Sequence, residues 1–300
     1  MGQPVRSARR NPVCLPIIVH WRHDYHLRHA WITAAGEQMA THNSLGYFGA
    51  QFDSETAAEP ALSYAILSSP RTGSNYLCAR LSNMKDRFGL PMEYLHADAI
   101  RLMGPRLLPG VTGNISLESY LRAVASVRSS RDGWFGIKVQ PDQLLPPFRG
   151  NLDSAIAFLR GFDRLILLTR RDKLGQAISG AIAHATGEWF NFGAEPKLDG
   201  IDLARLLALV ESMQKQYIGE DRLIGSVGVR LADRTPLHVC YEDIQDDSEG
   251  VFRRILTFLE PDGQVPSEER IHRPPTRKPP GGIAARLREA YLQHRSDNQP

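Results

Sequence analysis

Tyr64-Ala65-Ile66-Leu67-Ser68-Ser69-Pro70-Arg71-Thr72-Gly73-Ser74-Asn75-Tyr76-Leu77 decides the fold. A short apolar run enters a Pro/Gly turn, then apolar residues resume at helical spacing. That is the pattern of a buried strand feeding a helix through a tight turn. The first N–H groups of a helix lack internal partners and point into such a turn, which makes it an anion site. Arg71 adds a fixed cation, and Thr72, Ser74 and Asn75 add polar side chains, so phosphate or sulfate is the expected occupant. A Walker A loop reads G-x-x-x-x-G-K-[ST]. Here Ser68 stands at the first glycine and no lysine follows Gly73, so the loop suits a smaller anion than a magnesium-bound triphosphate. An ordinary turn with an exposed arginine is the plainer alternative, and the turn alone leaves both open.

Outward from this stretch, strands and helices alternate. Trp134–Val139, Leu165–Leu168 and Leu237–Tyr241 are further strands. The run at Leu165–Leu168 is continuously apolar, as in a parallel strand buried on both faces. Helices are expected from Ser74 to about Arg87 (Leu77, Leu81 and Met84 on one face), after a Ser116 cap, over Leu152–Arg160, and after an Asp172 cap towards Trp189. A longer one carries Leu203, Leu206, Leu207, Val210, Met213 and Tyr217, and another carries Val251, Phe252, Ile255, Phe258 and Leu259. The stretch from Leu95 to Asn114 reads as a Pro/Gly-interrupted loop. The order implies an α/β fold of three layers, with a mostly parallel sheet and a P-loop-like nucleotide-binding turn.

Ligands of open α/β sheets sit outside the carboxyl ends of the strands. Three features fall there: the Ser69–Asn75 turn, Lys138 with Gln140, and Thr169-Arg170-Arg171-Asp172. Arg170 with Ser179 on the following helix offers a guanidinium fork and a hydroxyl to one phosphate; a solvated loop is the competing reading. Lys138, on an otherwise apolar strand, must snorkel out or face a polar site. Glu93, soon after the first helix, is a base if it faces the anion site and a surface carboxylate if it does not.

Bulk properties narrow the class. The 300 residues carry 42% hydrophobic and 23% charged residues and a formal charge of +3, with much of the basicity in the termini. That distribution gives nucleic-acid binding little support. Cys14, Cys78 and Cys240 are too scattered for a disulfide framework and read as reduced thiols of a cytoplasmic protein. No run approaches the ~18 apolar residues that span a bilayer. His20, His23, His26 and His29 would drift around a helix by ~60° per step, so they do not converge on a metal. Residues 1–60 read as a poorly defined, flexible extension in which Met39 would serve as an alternative start. Residues 61–270 read as the functional domain, and 271–300 as a basic Pro/Gly-rich tail.

Together these motifs resemble bacterial carbohydrate sulfotransferases, of the kind acting on trehalose and nodulation-factor oligosaccharides, over roughly Leu62 to Thr276. Ser68–Leu77 resembles the family's 5′-phosphosulfate loop, and Thr169–Asp172 with Gln176–Ser179 its 3′-phosphate motif. Gly89–Tyr94 resembles the segment of the catalytic glutamate, Gly136-Ile137-Lys138 a glycine-x-lysine strand, and Tyr241–Ile244 with Phe258-Leu259 the late strand and helix. Gly175 departs from relatives with serine there, and His272–Lys278 only loosely matches the C-terminal segment that covers the donor.

The resemblance implies sulfuryl transfer from 3′-phosphoadenosine 5′-phosphosulfate (PAPS) to a hydroxyl of a carbohydrate or glycolipid, leaving 3′,5′-diphosphoadenosine. Glu93 would be the base, with Lys138 and Arg71 at the leaving group. Ser69, Pro70, Arg71, Thr72, Gly73, Ser74, Asn75, Arg170 and Ser179 would hold the donor. It implies a homodimer without metal, nucleic acid or membrane insertion. A P-loop kinase or NTPase and a catalytically silent nucleotide-binding module are the competing readings. Acceptor contacts are expected from Leu95–Thr112 and Thr186–Leu198, with Trp189 and Phe190 as aromatic surfaces for a sugar.

Overall fold

The computed structural model describes residues 45–54, 60–111, 115–189, 198, 200–260 and 282–297. Among the described residues four strands, β1 (Leu62–Ser68), β2 (Trp134–Val139), β3 (Arg164–Thr169) and β4 (Leu237–Cys240), form one sheet in the order β2-β1-β3-β4. Every pairing is parallel, with Ala65 opposite Ile137 on one side and Leu165 on the other. Helices α1 (Ser74–Ser82), α2 (Lys85–Phe88), α3 (Ala97–Leu107) and α4 (Leu117–Arg128) connect β1 to β2. Helices α5 (Pro141–Leu144) and α6 (Leu152–Arg160) lead to β3, and α7 (Lys173–Thr186) and α8 (Leu203–Arg230) to β4. Helices α9 (Tyr241–Asp246), α10 (Ser248–Leu259) and α11 (Gly282–Asp297) follow.

Strand side chains alternate between faces, and the two faces carry separate cores. Ala65, Leu67, Ile137, Val139, Leu165 and Leu167 pack with α3, α4, α6 and the end of α8. Tyr64, Ile66, Ile166, Leu168 and Val239 pack against α1 and α10. The result is the expected three-layer α/β arrangement. A third cluster joins α7, α8 and α11 through Ala181, Val210, Leu287 and Tyr291.

Alternation on β2 places Trp134, Gly136 and Lys138 on the face of α1. Gly136 is required there, because a Cβ would run into the Tyr64 ring. That ring is fixed by its hydroxyl, which donates to the Phe88 carbonyl at 3.0 Å.

Several elements differ from the sequence-based expectation. The helix after Gly73 breaks at Asn83 and Met84, and α2 then carries Phe88 fully into the core. Residues expected as a loop form α3, capped by His96, whose Nδ1 accepts from the Asp98 N–H at 3.2 Å; Ala99 and Met103 are its buried anchors. Gly104 and Pro105 masked its period. Leu203 is exposed, and the buried stripe of α8 begins at Leu206. Tyr241 opens α9 instead of ending a strand.

Phe48 joins the core, and Asp53 pairs with Arg106 and Arg128, so residues 45–54 pack on the domain. The histidine run, Cys14, Met39, Phe190 and His272–Lys278 lie outside the described residues. No helix among those described is long and apolar enough to cross a membrane.

Candidate active site

Strand β1 ends at Ser68, and the next five residues turn into α1. Arg71 (φ 61°) and Gly73 (φ 79°) are both left-handed. Glycine adopts that conformation freely, whereas an arginine there stores strain on the order of 1 kcal/mol or more. At Gly73 a side chain would also meet the Tyr241 ring at 2.9 Å. The turn is clamped from below. Thr72 Oγ1 donates to the Ser69 carbonyl at 2.8 Å. Gln176 Nε2, buried on α7, donates to Ser69 Oγ at 2.9 Å and to the Pro70 carbonyl at 2.7 Å. Ser69 Oγ donates to Asp221 Oδ1 on α8 at 3.0 Å, and Lys173 pairs with the other oxygen of that carboxylate. Ser74 is buried, and Asn75 is half-buried at the start of α1.

Two guanidinium groups flank this turn. Arg71 donates from Nε to Ser179 Oγ at 3.0 Å and from Nη1 to the Trp189 carbonyl at 2.7 Å. Burial, then repulsion from Arg170, pulls its pKa below the usual arginine range, against the opposing influence of Tyr217 and Tyr241. Arg170, at the end of β3, donates from Nη1 to the Arg71 carbonyl at 3.1 Å and lies 4.4 Å over the Tyr241 ring. Tyr241 is thus the spacer between Gly73 and Arg170. Ser179 Oγ thus accepts from Arg71, whereas its pairing in sequence suggested Arg170.

Lys138 and Glu93 complete the group. The parallel bridge of Met92 to Ile137, with the Lys138 N–H donating to the Met92 carbonyl at 2.9 Å, draws the Glu93 segment alongside β2. The buried Lys138 ammonium, 4% exposed, bridges Glu93 Oε1 at 2.5 Å and Asn75 Oδ1 at the mouth of the turn. Gln140 Nε2 donates to Glu93 Oε1 at 3.1 Å, and Gln143 Nε2 donates to Oε2. Burial works against the Glu93 carboxylate, but Lys138, Gln143 and the charge of His96 outweigh it and hold its pKa below the ordinary value. The glutamate is therefore ionised at neutral pH. The three sequence-predicted clusters meet at one edge of the sheet because β2, β1 and β3 are neighbours.

The sequence places Gln176 and Glu242 within motifs but does not show that they, with Asp221 and Lys173, support the turns. Asp221, Lys173 and Gln176 hold the turn from helices more than a hundred residues away. Glu242 accepts from the backbone N–H groups of Arg171 (3.0 Å) and Asp172 (2.9 Å), fixing the turn behind Arg170. Burial opposes its charge, yet these bonds and that from Cys240 pull its pKa to about 2.

Glu220 behaves oppositely. Burial, with the charges of Asp142 and Asp221 adding to it, pushes its pKa to about 7, and its Oε2 has no hydrogen-bond partner. A carboxyl raised in the fold costs nothing below its unfolded value near 4.5 and its full penalty above about 7. Glu220→Gln is therefore expected to stabilise the protein at pH 8, by at most about 3 kcal/mol, and to change little at pH 4.5. Urea denaturation at the two pH values measures this.

Residues 63–216 match the model of the Stf0 sulphotransferase family, and the chain belongs to that family. Distant structural neighbours include the sulfotransferase domain of the Synechococcus PCC 7002 olefin synthase, at 17% identity and a TM-score of 0.38, over 81% of this chain and 97% of that one. A second is a sulfotransferase from Alicyclobacillus acidocaldarius, at 15% identity and 0.40, over 81% and 98%. A search of curated proteins finds no match. Among the described residues, no group of three or more His, Cys, Asp or Glu is placed to hold a metal.

Proposed function

We infer that this sulfotransferase-family chain moves a sulfuryl group from PAPS to a hydroxyl of a carbohydrate or glycolipid, with Glu93 as general base. The observation that carries this reading is the Lys138 ammonium shared between Glu93 and Asn75. It links a half-buried, ionised carboxylate to the proposed anion-binding turn. In the proposed step the acceptor oxygen attacks sulfur and its proton passes to Glu93. The bond from sulfur to the bridging oxygen of the 5′-phosphate breaks, and Lys138, Arg71 and the N–H groups of α1 take up the charge on that oxygen. A phosphosulfate drawing Lys138 towards itself would loosen its hold on Glu93 and raise the basicity of the glutamate as the donor seats. Ser69 to Asn75 would cradle the 5′ group, and Arg170 would hold the 3′-phosphate. Trp189 is exposed, with its carbonyl on Arg71, and offers an aromatic face for a sugar.

Calorimetric titration tests the donor. 3′,5′-Diphosphoadenosine should bind without Mg²⁺ at least about tenfold more tightly than ATP, because hydrogen bonds to charged groups contribute roughly 1.5–3 kcal/mol. Preference for ATP with Mg²⁺ would favour the kinase reading instead. Labelled sulfate transfer onto a panel of sugars and glycolipids then separates an active enzyme from a silent module.

A further inference from the structure

Above Gly175, in the first turn of α7, guanidinium groups from two distant parts of the chain meet. Asp172 Oδ1 accepts from the Gly175 N–H at 2.9 Å, as an N-cap should. Its Oδ2 is paired with Nη2 of Arg288, on α11, and lies 3.8 Å from Nη2 of Arg170. A Cβ on Gly175 would collide with that carboxylate and come within 2.8 Å of both guanidinium nitrogens. The glycine therefore leaves a gap walled by two cations and a helix N-terminus, with the chain's own carboxylate in it. Inside the cradle two guanidinium groups and the helix end face the one carboxylate of Asp172, while Glu242 lies behind the turn on the N–H groups of Arg171 and Asp172. The neighbouring Arg171 takes no part, since it is exposed and paired with Asp243. Arg288 is held in place by buried Leu287 and Tyr291, the latter donating to Gln214 Oε1 at 3.1 Å.

We propose that this cradle is an exchangeable phosphate grip, in which the Asp172 carboxylate holds the place between Arg170 and Arg288 and a nucleotide's 3′-phosphate displaces it, engaging both guanidinium groups. The proposal rests on the donor reading above and makes Arg288 and Asp172 determinants of specificity for its 3′-phosphate. A phosphate dianion presents enough oxygens to engage both forks, which one carboxylate does not. Asp172 is partly exposed, so its side chain has solvent to turn into. Only a ligand with a phosphate at this point competes with it, and a nucleotide bearing a 5′-phosphate alone has nothing to offer the cradle.

Titration of the full chain with 3′,5′-diphosphoadenosine and with adenosine 5′-phosphate, in three forms of the protein, is the test. Asp172→Asn keeps the cap oxygen for Gly175 but removes the competing charge. It is expected to tighten 3′,5′-diphosphoadenosine by about tenfold and leave the 5′-phosphate unchanged. Arg288→Gln should weaken the diphosphate by about tenfold or more, again without effect on the monophosphate. A gain of affinity in Asp172→Asn cannot come from misfolding. If Asp172→Asn binds the diphosphate no more tightly than wild type, or Arg288→Gln binds it equally well, the exchange is overturned while the donor reading stands. Wild-type protein with no preference for the diphosphate over ATP overturns the donor reading and this proposal with it.

Discussion

Glu93→Gln is expected to lower turnover by roughly 10²–10⁴-fold, the usual worth of a positioned general base, while affinity for 3′,5′-diphosphoadenosine stays within about threefold of wild type. The amide preserves the shape of the side chain. Its oxygen can still face Lys138 and the Nε2 of Gln140, and Gln143 can turn its own amide to accept from the new NH₂ group. What disappears is the ability to take a proton. Lys138 also loses its nearest anionic partner, so a bound donor would meet a freer ammonium, and any change in donor affinity should be a gain. In wild type the rate should fall on the acid side as Glu93 protonates, and that limb should vanish in the variant. Labelled sulfate transfer to an acceptor from the panel gives turnover, and calorimetry gives affinity. Turnover within tenfold of wild type would remove Glu93 from the role of base.

Much of this site is legible in the sequence because its parts lie at strand ends, where local pattern is strongest. The continuous run at Leu165–Leu168 and the Tyr64–Leu77 stretch fix two neighbouring strands, and with them the positions of Arg71 and Arg170. Lys138 was conspicuous because a charge on an apolar strand demands a partner. The supports were not legible, since they act across the chain. Nothing near Ser69 announces Asp221, and nothing near Asp172 announces Arg288. One signal was present: Tyr217, Glu220 and Ile224 fall at i, i+3 and i+7 on the buried stripe of α8, where a carboxylate is out of place. Helix α3 was hidden by Gly104 and Pro105, and by a histidine cap where Ser, Thr, Asp or Asn is the usual sign.

Lys138→Met tests the other half of the pair, with an expected loss of roughly 10²–10³-fold in turnover, comparable to removing one donor from an oxyanion site. Methionine matches the stem of the lysine but carries no charge to the leaving oxygen. The variant should also be less stable by about 1–3 kcal/mol at neutral pH, because it leaves a half-buried carboxylate without its charged partner. The pH dependence distinguishes this from simple loss of packing. In wild type the Glu93 pKa is depressed in the fold, so its contribution is present above the unfolded value near 4.5 and is lost as the pH falls through the folded one. With Lys138 gone only Gln143 and His96 still oppose burial, the largest single influence, so the folded pKa is expected to rise above the unfolded value. The sign reverses, and the cost grows as the pH climbs above 4.5. Lys138→Met should therefore lose more stability relative to wild type at pH 8 than at pH 5. Adding Glu93→Gln, which removes the stranded charge, should recover most of the deficit at pH 8. Thermal unfolding of the two single variants and the double variant at both pH values decides the matter. An equal deficit at both, with no recovery in the double variant, would mean that Lys138 serves packing alone and that the link between base and turn is not electrostatic.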